Sequence, residues 1–323
     1  MVLSAKMGDI METIEINKFK NIPSGENFNQ TAVISEIPES IEYEILSENE
    51  NLEYIDYLNL TKVIEVLAEF FDVHAAALAK DAKLCTAALG SSVETAFEKI
   101  IENDPLSLTA GTIGFSKEVT LELAMQIKAM NIKNIISTKY SKEAVEYLQK
   151  HTEMNIVEIK SPLQELLGFN TNDIKVTPFG YLIQEQNSSK LTKSSFKVAG
   201  KVKPSQQQAE DAIFAWKLAK YTASNSAVIV KDLAAKAIVQ SAINLADAVE
   251  CAMDIACENS KDAVLAVDGV IEGQEIINAA IQGRIGLIIE AGDGINSQKI
   301  KSLADKYNIS IIHTGIRNYR YWK

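Results

Sequence analysis

From residue 51 onward the chain alternates short apolar runs with segments whose apolar residues recur at helical spacing. This alternation constrains the fold more than any other feature of the 323 residues. Leu60, Val63, Ile64, Leu67, Phe70 and Phe71 share one helical face and predict a helix over residues 60–71. Residues 73–79 then read as a short buried strand. Ser91 and Glu94 have capping-box spacing and open a helix running to about residue 102. A helix over 117–130, a strand over 133–137, a helix over 141–151 and a strand over 155–159 follow. Residues 186–200, rich in Ser, Lys and Asn, read as an exposed connection. Beyond it, Pro204 and Ser205 open a helix through residue 221, with Ser205 and Gln208 as a second capping box. Strands are predicted over 227–230, 263–267, 285–290 and 310–313, with helices over 274–282 and 297–307. Residues 233–258, alanine-rich and free of Gly and Pro, read as one long helical stretch.

Strand–helix alternation with short connections implies an α/β fold whose mostly parallel sheets are covered by helices. Two stretches hint at internal duplication. Asn134-Ile-Ile-Ser leads through a Ser141 helix to Asn155-Ile156, and Leu287-Ile-Ile-Glu leads through a Ser297 helix to Asn308-Ile309. The expected organisation is an N-terminal extension over 1–19, a first lobe over 20–190 and a second over 191–323, each a three-layer α/β/α unit.

Composition sets the surroundings. Apolar residues make up 47% of the chain, and no run approaches the roughly 20 apolar residues that span a bilayer. Residues 1–9 are too mixed for the core of a signal peptide. The three cysteines, Cys85, Cys251 and Cys257, form no CxxC pair, which fits a reducing, cytoplasmic compartment. A formal net charge of −11 argues against nucleic acid and anionic membrane surfaces as partners.

Candidate chemistry is sparse. The turn Ala291-Gly292-Asp293-Gly294 between strand and helix reads either as a backbone cradle for a phosphate or carboxylate, or as a tight turn needing glycine. Of His74, His151 and His313, His313 ends a strand, where α/β folds place ligands; a partly buried role serves as well for each. Lys80 closes an alanine-rich strand beside Asp81 and is either an anion-binding lysine or a solvated one. No zinc-site spacing, G-x-S-x-G, Walker A or G-x-G-x-x-G motif is present.

The segment Asp211-Ala-Ile-Phe-Ala-Trp-Lys-Leu-Ala-Lys220, followed by Ser224-Asn225, resembles the "FAWKvvKhvKSNaIv" block of the AICAR transformylase family, the formyltransferase half of a bifunctional purine-biosynthesis protein. Gly25-Glu26-Asn27 with Gln30 is similar to "RYGENPHQ", Asp104-Pro-Leu-Ser107 through Gly111 to "DPvSAFGG", and Thr314-Gly-Ile-Arg317-Asn-Tyr319-Arg320 to "TGvRhFrH". The resemblance runs from about residue 20 to the end, without the cyclohydrolase domain. It implies two cytidine-deaminase-like lobes without zinc, a homodimer with sites built across the interface, and a nucleotide-like small-molecule ligand. It further implies formyl transfer from 10-formyltetrahydrofolate to the amine of aminoimidazole carboxamide ribonucleotide (AICAR), with no metal.

Carried over position by position, the resemblance makes Lys80, Asp81 and Asn225 catalytic and makes Arg317, Asn27, Gly111 and Gly292 substrate-binding. Asp81 stands where "KHtNPCG" has histidine, and it works as a base only if burial raises its pKa. Pro23 and Ser24 replace the arginine and tyrosine of "RYGEN". Residues 233–243 lack the glycines and arginine of "GiGaGQmsR", and Val267-Asp268-Gly269 lacks the aromatics of "SDAFFPF". Each charge-assisted phosphate contact is worth roughly 1.5–3 kcal/mol, so two lost arginines weaken binding about a hundredfold or more. Two readings follow: a formyltransferase with an altered site, or a relative repurposed to bind a related nucleotide or pterin or to act as a partner subunit.

Overall fold

A computed structural model describes residues 2–7, 10–15, 19–35, 40–48, 51–168 and 172–321, with the backbone alone given for residues up to 19 and for 193. The extension read over 1–19 thus lies partly outside the described residues. Its described backbone pairs β1 (Val2–Met7) with β2 (Ile10–Glu15) in an antiparallel hairpin. A second hairpin joins β3 (Phe19–Ile22) to β4 (Ala32–Ser35).

After β5 (Tyr43–Ile45), one unit runs α1 (Tyr54–Ala68), β6 (His74–Lys80), β7 (Lys83–Gly90), α2 (Val93–Asn103), β8 (Thr112–Phe115), α3 (Leu121–Lys128), β9 (Asn134–Ser137), α4 (Lys142–His151) and β10 (Asn155–Ile159). The hairpin β11 (Asn172–Thr177) and β12 (Gly180–Glu185) and the short β13 (Lys197–Val198) follow. The same order then recurs. It runs α5 (Gln206–Ala219), β14 (Ala227–Lys231), β15 (Ala234–Val239), α6 (Leu245–Ala256), β16 (Val264–Val267), α7 (Gln274–Gln282), β17 (Leu287–Glu290), α8 (Ser297–Lys306) and β18 (Ser310–His313).

Both units contribute to one 12-stranded sheet of order β13-β18-β17-β16-β14-β15-β7-β6-β8-β9-β10-β5. Read outward from its middle, either half gives the same roles: two hairpin strands, three mutually parallel strands and an antiparallel edge strand. The halves meet where Leu89 N–H donates to Leu233 O at 2.8 Å and Ala234 faces Ala88. The duplication extends to side chains. Asn59 Oδ1 in α1 accepts from Ala82 N at 2.8 Å, and Asp211 Oδ1 in α5 accepts from Leu233 N at 2.7 Å. Each thereby fixes a two-residue turn whose central residues, Asp81-Ala82 or Asp232-Leu233, have positive φ. That is the twist a tight hairpin favours.

The expectation of mostly parallel sheets is corrected: seven of the eleven neighbouring pairs are antiparallel. Hairpins β6–β7 and β14–β15 open each unit, and only strands linked through a helix run parallel, as crossover geometry requires. The long helix read over 233–258 is also corrected. Alanines 234, 235 and 237 pair as β15, and α6 begins only after Asn244, whose side chain accepts from Asp247 N. Alanine's helix propensity is a weak prior that strand pairing overrides. The helix over 117–130 shortens to α3, capped by Thr120, and the cap of α2 is Ser92 rather than Ser91. The Ser205–Gln208 capping box stands as read.

Side chains alternate between the two faces of the sheet. Ala75, Ala77, Ala79, Val228, Val230, Val264 and Leu287 face α1 and α5 in one apolar layer. On the other face, residues such as Leu78, Ile113 and Ile135 pack with α2, α3 and α4, and Ile229, Leu265 and Ile288 pack with α6, α7 and α8. The result is three layers, with both units sharing the central one.

Candidate functional site

Strand directions decide which residues can meet. Strands β16, β17 and β18 run parallel to one another and antiparallel to β14, so their carboxyl ends lie beside the start of β14. The carboxyl end of β6 reaches the same end of the sheet, because β14, β15, β7 and β6 pair antiparallel in succession, and Ala79 there faces Thr112 at the start of β8. Lys80, Asp81, Gly111, Asn225, Gly292 and Arg317 therefore all sit at one end of the sheet. Asn27 lies in the β3–β4 loop, where its backbone N–H and amide both donate to Gln30 Oε1.

Within one chain these residues divide into two groups. Arg317 follows β18 and reaches back to Asp293 after β17, and β17 is five strand spacings from Lys80 on β6, about 24 Å at roughly 4.8 Å per strand. Lys80 Nζ donates to Thr109 O at 2.9 Å, on the side away from β18. Asp81 is exposed in its tight turn, so the burial it needed to act as a base is absent. Gly111 is held by packing, since a Cβ there would come within 2.5 Å of Ser107 O.

The second group is denser. Asn225 Nδ2 donates to Ala242 O at 3.2 Å and to Ile243 O at 3.1 Å, locking the loop after β15 against the start of β14. Next to it, Asp268 is 1% exposed; Oδ1 accepts from Ser226 N at 3.0 Å, while Oδ2 has no hydrogen-bond partner among the described residues. Burial raises the Asp268 carboxyl above its ordinary range. At the same place in the first unit, Ser116 Oγ accepts from Ala75 N at 2.9 Å. The duplicated scaffold thus carries a hydroxyl on one side and a carboxylate on the other.

Glu290 and His313 end β17 and β18 in register, with Nε2 3.2 Å from Oε1. The other Glu290 oxygen accepts from Ile271 N at 2.6 Å. Gly292 closes over this pair at φ +85, and a Cβ there would lie 2.2 Å from His313 Cγ. The turn therefore needs glycine both for its dihedral and for its contact with the imidazole.

Arg317 is exposed but paired: Nε and Nη2 reach the Asp293 carboxylate, at 3.0 Å and 2.7 Å to Oδ2. The guanidinium holds Asp293 below the ordinary carboxylate range, and the same pairing raises Arg317. Arg317 also lies over the Tyr319 ring, 5.7 Å from its centroid, and that ring packs against Gly269. Sequence reading had missed Asp268 and Glu290 as buried site groups. Their signal was an acidic residue closing an otherwise apolar strand, in Leu-Ala-Val-Asp268 and Leu-Ile-Ile-Glu290. Among the described residues no three His, Cys, Asp or Glu side chains come together in a way that could hold a metal ion. No helix among them is long and apolar enough to cross a membrane.

Cys85, in the strand that follows the Lys80 turn, gives a local test. Burial pushes its thiol up to about 11, whereas Cys251 and Cys257 are exposed. Alkylation at pH 8 is expected to label Cys251 and Cys257 first and Cys85 at least about tenfold more slowly, because the thiolate is the reactive form. Peptide mass mapping reads the order, and equal rates would contradict the packing of β7.

Fold and site together define a duplicated α/β protein in which Asp268, Glu290 and His313 lie at the carboxyl ends of the second unit's parallel strands, where such folds hold ligands, while Lys80, Asp81 and Gly111 lie beside the amino end of the first unit's. The family model for the AICARFT/IMPCHase bienzyme matches residues 3–255, a span that begins inside the segment read as an extension, and the chain belongs to that family. It is 28% identical to the bifunctional purine biosynthesis protein PurH of Aquifex aeolicus over 96% of this chain and 61% of that protein. Against PurH of a Thermoanaerobacter species it is 31% identical, over 80% of this chain and 50% of that protein. Against the Dictyostelium discoideum protein it is 29% identical, over 94% and 57%. The chain thus spans about half to three fifths of the length of these relatives.

Proposed function

We propose that the chain is a formyltransferase of purine biosynthesis, moving the formyl group of 10-formyltetrahydrofolate to the 5-amino group of AICAR. The observation that carries this reading is the gathering of Lys80, Asn225, Gly292 and Arg317 at one end of one sheet, on a scaffold of the family. In the reaction the amine nitrogen bonds to the formyl carbon, the bond from that carbon to folate N10 breaks, the amine gives up a proton and the departing N10 takes one up. Lys80 stabilises charge on the formyl oxygen, Asn225 orients the amine, and Arg317 grips the nucleotide. Asp81, exposed, is the proton acceptor of this scheme only when something covers it.

Because Lys80 and Arg317 stand about 24 Å apart in one chain, the proposal includes a homodimer in which the Lys80 end of one copy meets the Arg317 end of the other. For the folate, the exposed Tyr319–Tyr321 pair, stacked with centroids 5.7 Å apart, offers a flat surface that fits a pterin ring. The proposal takes the two units as cytidine-deaminase-like lobes divided near residue 190, in a cytoplasmic protein.

The Arg317–Asp293 pair favours a second reading, a relative that binds a related nucleotide or pterin without turning it over. A carboxylate already occupying the guanidinium competes with any phosphate. Asp293→Asn is therefore expected to tighten binding of a nucleoside monophosphate, by up to about tenfold. Calorimetry with AICAR checks this, and unchanged or weaker binding would remove Arg317 from the site. Steady-state formylation by the purified chain separates the two readings, because turnover equal to a buffer blank rules out the first.

A further inference from the structure

The turn that carries Lys80 is held from outside by a side chain that the formyl-transfer scheme does not use. Lys80 and Lys83 face each other at the end of the β6–β7 hairpin, with Asp81 and Ala82 as the turn between them. Both turn residues are left-handed, at φ +52 and +58. A turn of this shape suits asparagine followed by glycine, because glycine enters the left-handed region without steric cost. The Cβ of Ala82 opposes it, so the pair Asp81-Ala82 does not dictate the shape alone. Residues in this region persist where their surroundings over-determine them, and functional sites are where such residues gather.

Asn59 supplies the missing constraint. It lies on α1, is 3% exposed, and its Oδ1 accepts from Ala82 N at 2.8 Å. The helix is itself pinned on the preceding turn. There the buried Asp56 accepts from Asn134 Nδ2 at 2.8 Å and pairs with Lys133 at 2.9 Å. Lys80 Nζ donates to Thr109 O at 2.9 Å, so the direction of the ammonium depends on where the turn places the lysine backbone. The second unit shows that a carboxylate can do the same work. Asp211 Oδ1 accepts from Leu233 N at 2.7 Å across a turn with φ +55 and +56.

We propose that Asn59 is the positioning residue of Lys80: by holding the Ala82 N–H it keeps the turn left-handed and fixes where the ammonium points. For turnover the proposal rests on the formyl-transfer reading; for the geometry of Lys80 it does not. Acetic anhydride labelling of the full chain, mapped by mass spectrometry, reads that geometry. Asn59→Leu is close in volume and removes the acceptor. It is expected to speed labelling of Lys80 at least about threefold, the scale of losing one hydrogen bond, with the exposed Lys197 unchanged as reference. Asn59→Asp keeps the acceptor and is expected to label like the parent. Adding Ala82→Gly to Asn59→Leu is expected to bring Lys80 back toward the parent rate, because glycine holds a left-handed backbone unaided.

In the formylation assay Asn59→Leu is expected to lower kcat about tenfold, the scale of a misplaced catalytic group. The KM for AICAR is expected to stay within about twofold, since Lys80 acts in the transition state. Ala82→Gly is expected to restore most of the loss. A parent chain without turnover removes the formyl-transfer reading and leaves the labelling to decide this one. Parent-like labelling of Lys80 in an Asn59→Leu protein whose circular dichroism matches the parent would overturn the proposal. So would faster labelling that Ala82→Gly leaves unchanged, because Asn59 would then act through something other than the turn.

Discussion

Trp216→Ala is expected to lower the stability of the folded chain by about 3–5 kcal/mol, the cost typical of deleting a fully buried tryptophan. Trp216 is 1% exposed and lies on α5, the helix that covers β14, β16 and β17. Residues on nearly every side of this helix are buried, including Ala212, Phe214, Ala215, Leu218 and Ala219. Phe214 packs on Phe70 beyond the end of α1, with ring centroids 5.1 Å apart, and Lys217 Nζ lies 4.8 Å over the Phe70 ring. At the end of α5, Lys220 and Tyr221 reach Glu69. This helix therefore ties the second unit to the first as well as to its own strands. A hole left at residue 216 cannot close without moving strands that pair on both edges, so little of the loss is recovered by relaxation. Urea unfolding measures it; a loss under about 1 kcal/mol would show that α5 is not the keystone of the shared layer.

The helices of the fold were legible in the sequence wherever an amphipathic face and a cap coincided, as at Ser205–Gln208 and Ser141. The parallel strands were legible as runs of Ile, Leu and Val: Asn134–Ser137, Leu287–Glu290 and Ser310–His313 all lie close to where their apolar runs placed them. The hairpin partners β7 and β15 were not. Both are rich in alanine, whose local preference is helical, and only pairing with β6, β14 and each other makes them strands. Missing them hid the antiparallel centre of the sheet.

The site shows the same division. Lys80, Asn225, Gly292 and Arg317 stood out through the motifs around them. The pairing of Arg317 with Asp293, the exposure of Asp81 and the burial of Asp268 and Glu290 depend on which loops meet above the sheet. No spacing along the chain carries that information.

In the proposed homodimer Lys80 and Arg317 serve one site from two copies of the chain. Each of Lys80→Ala and Arg317→Ala is expected to cut formylation at least about a hundredfold, the scale of losing an electrostatic stabiliser or a charged substrate contact. The two inactive variants, unfolded together and refolded as a one-to-one mixture, give the direct measurement. In a two-fold dimer every mixed pair keeps one intact site, so about a quarter of the wild-type rate returns. A mixture that forms mixed dimers yet stays as inactive as its components would contradict the account, because it would place both residues in a single chain's site or outside any site.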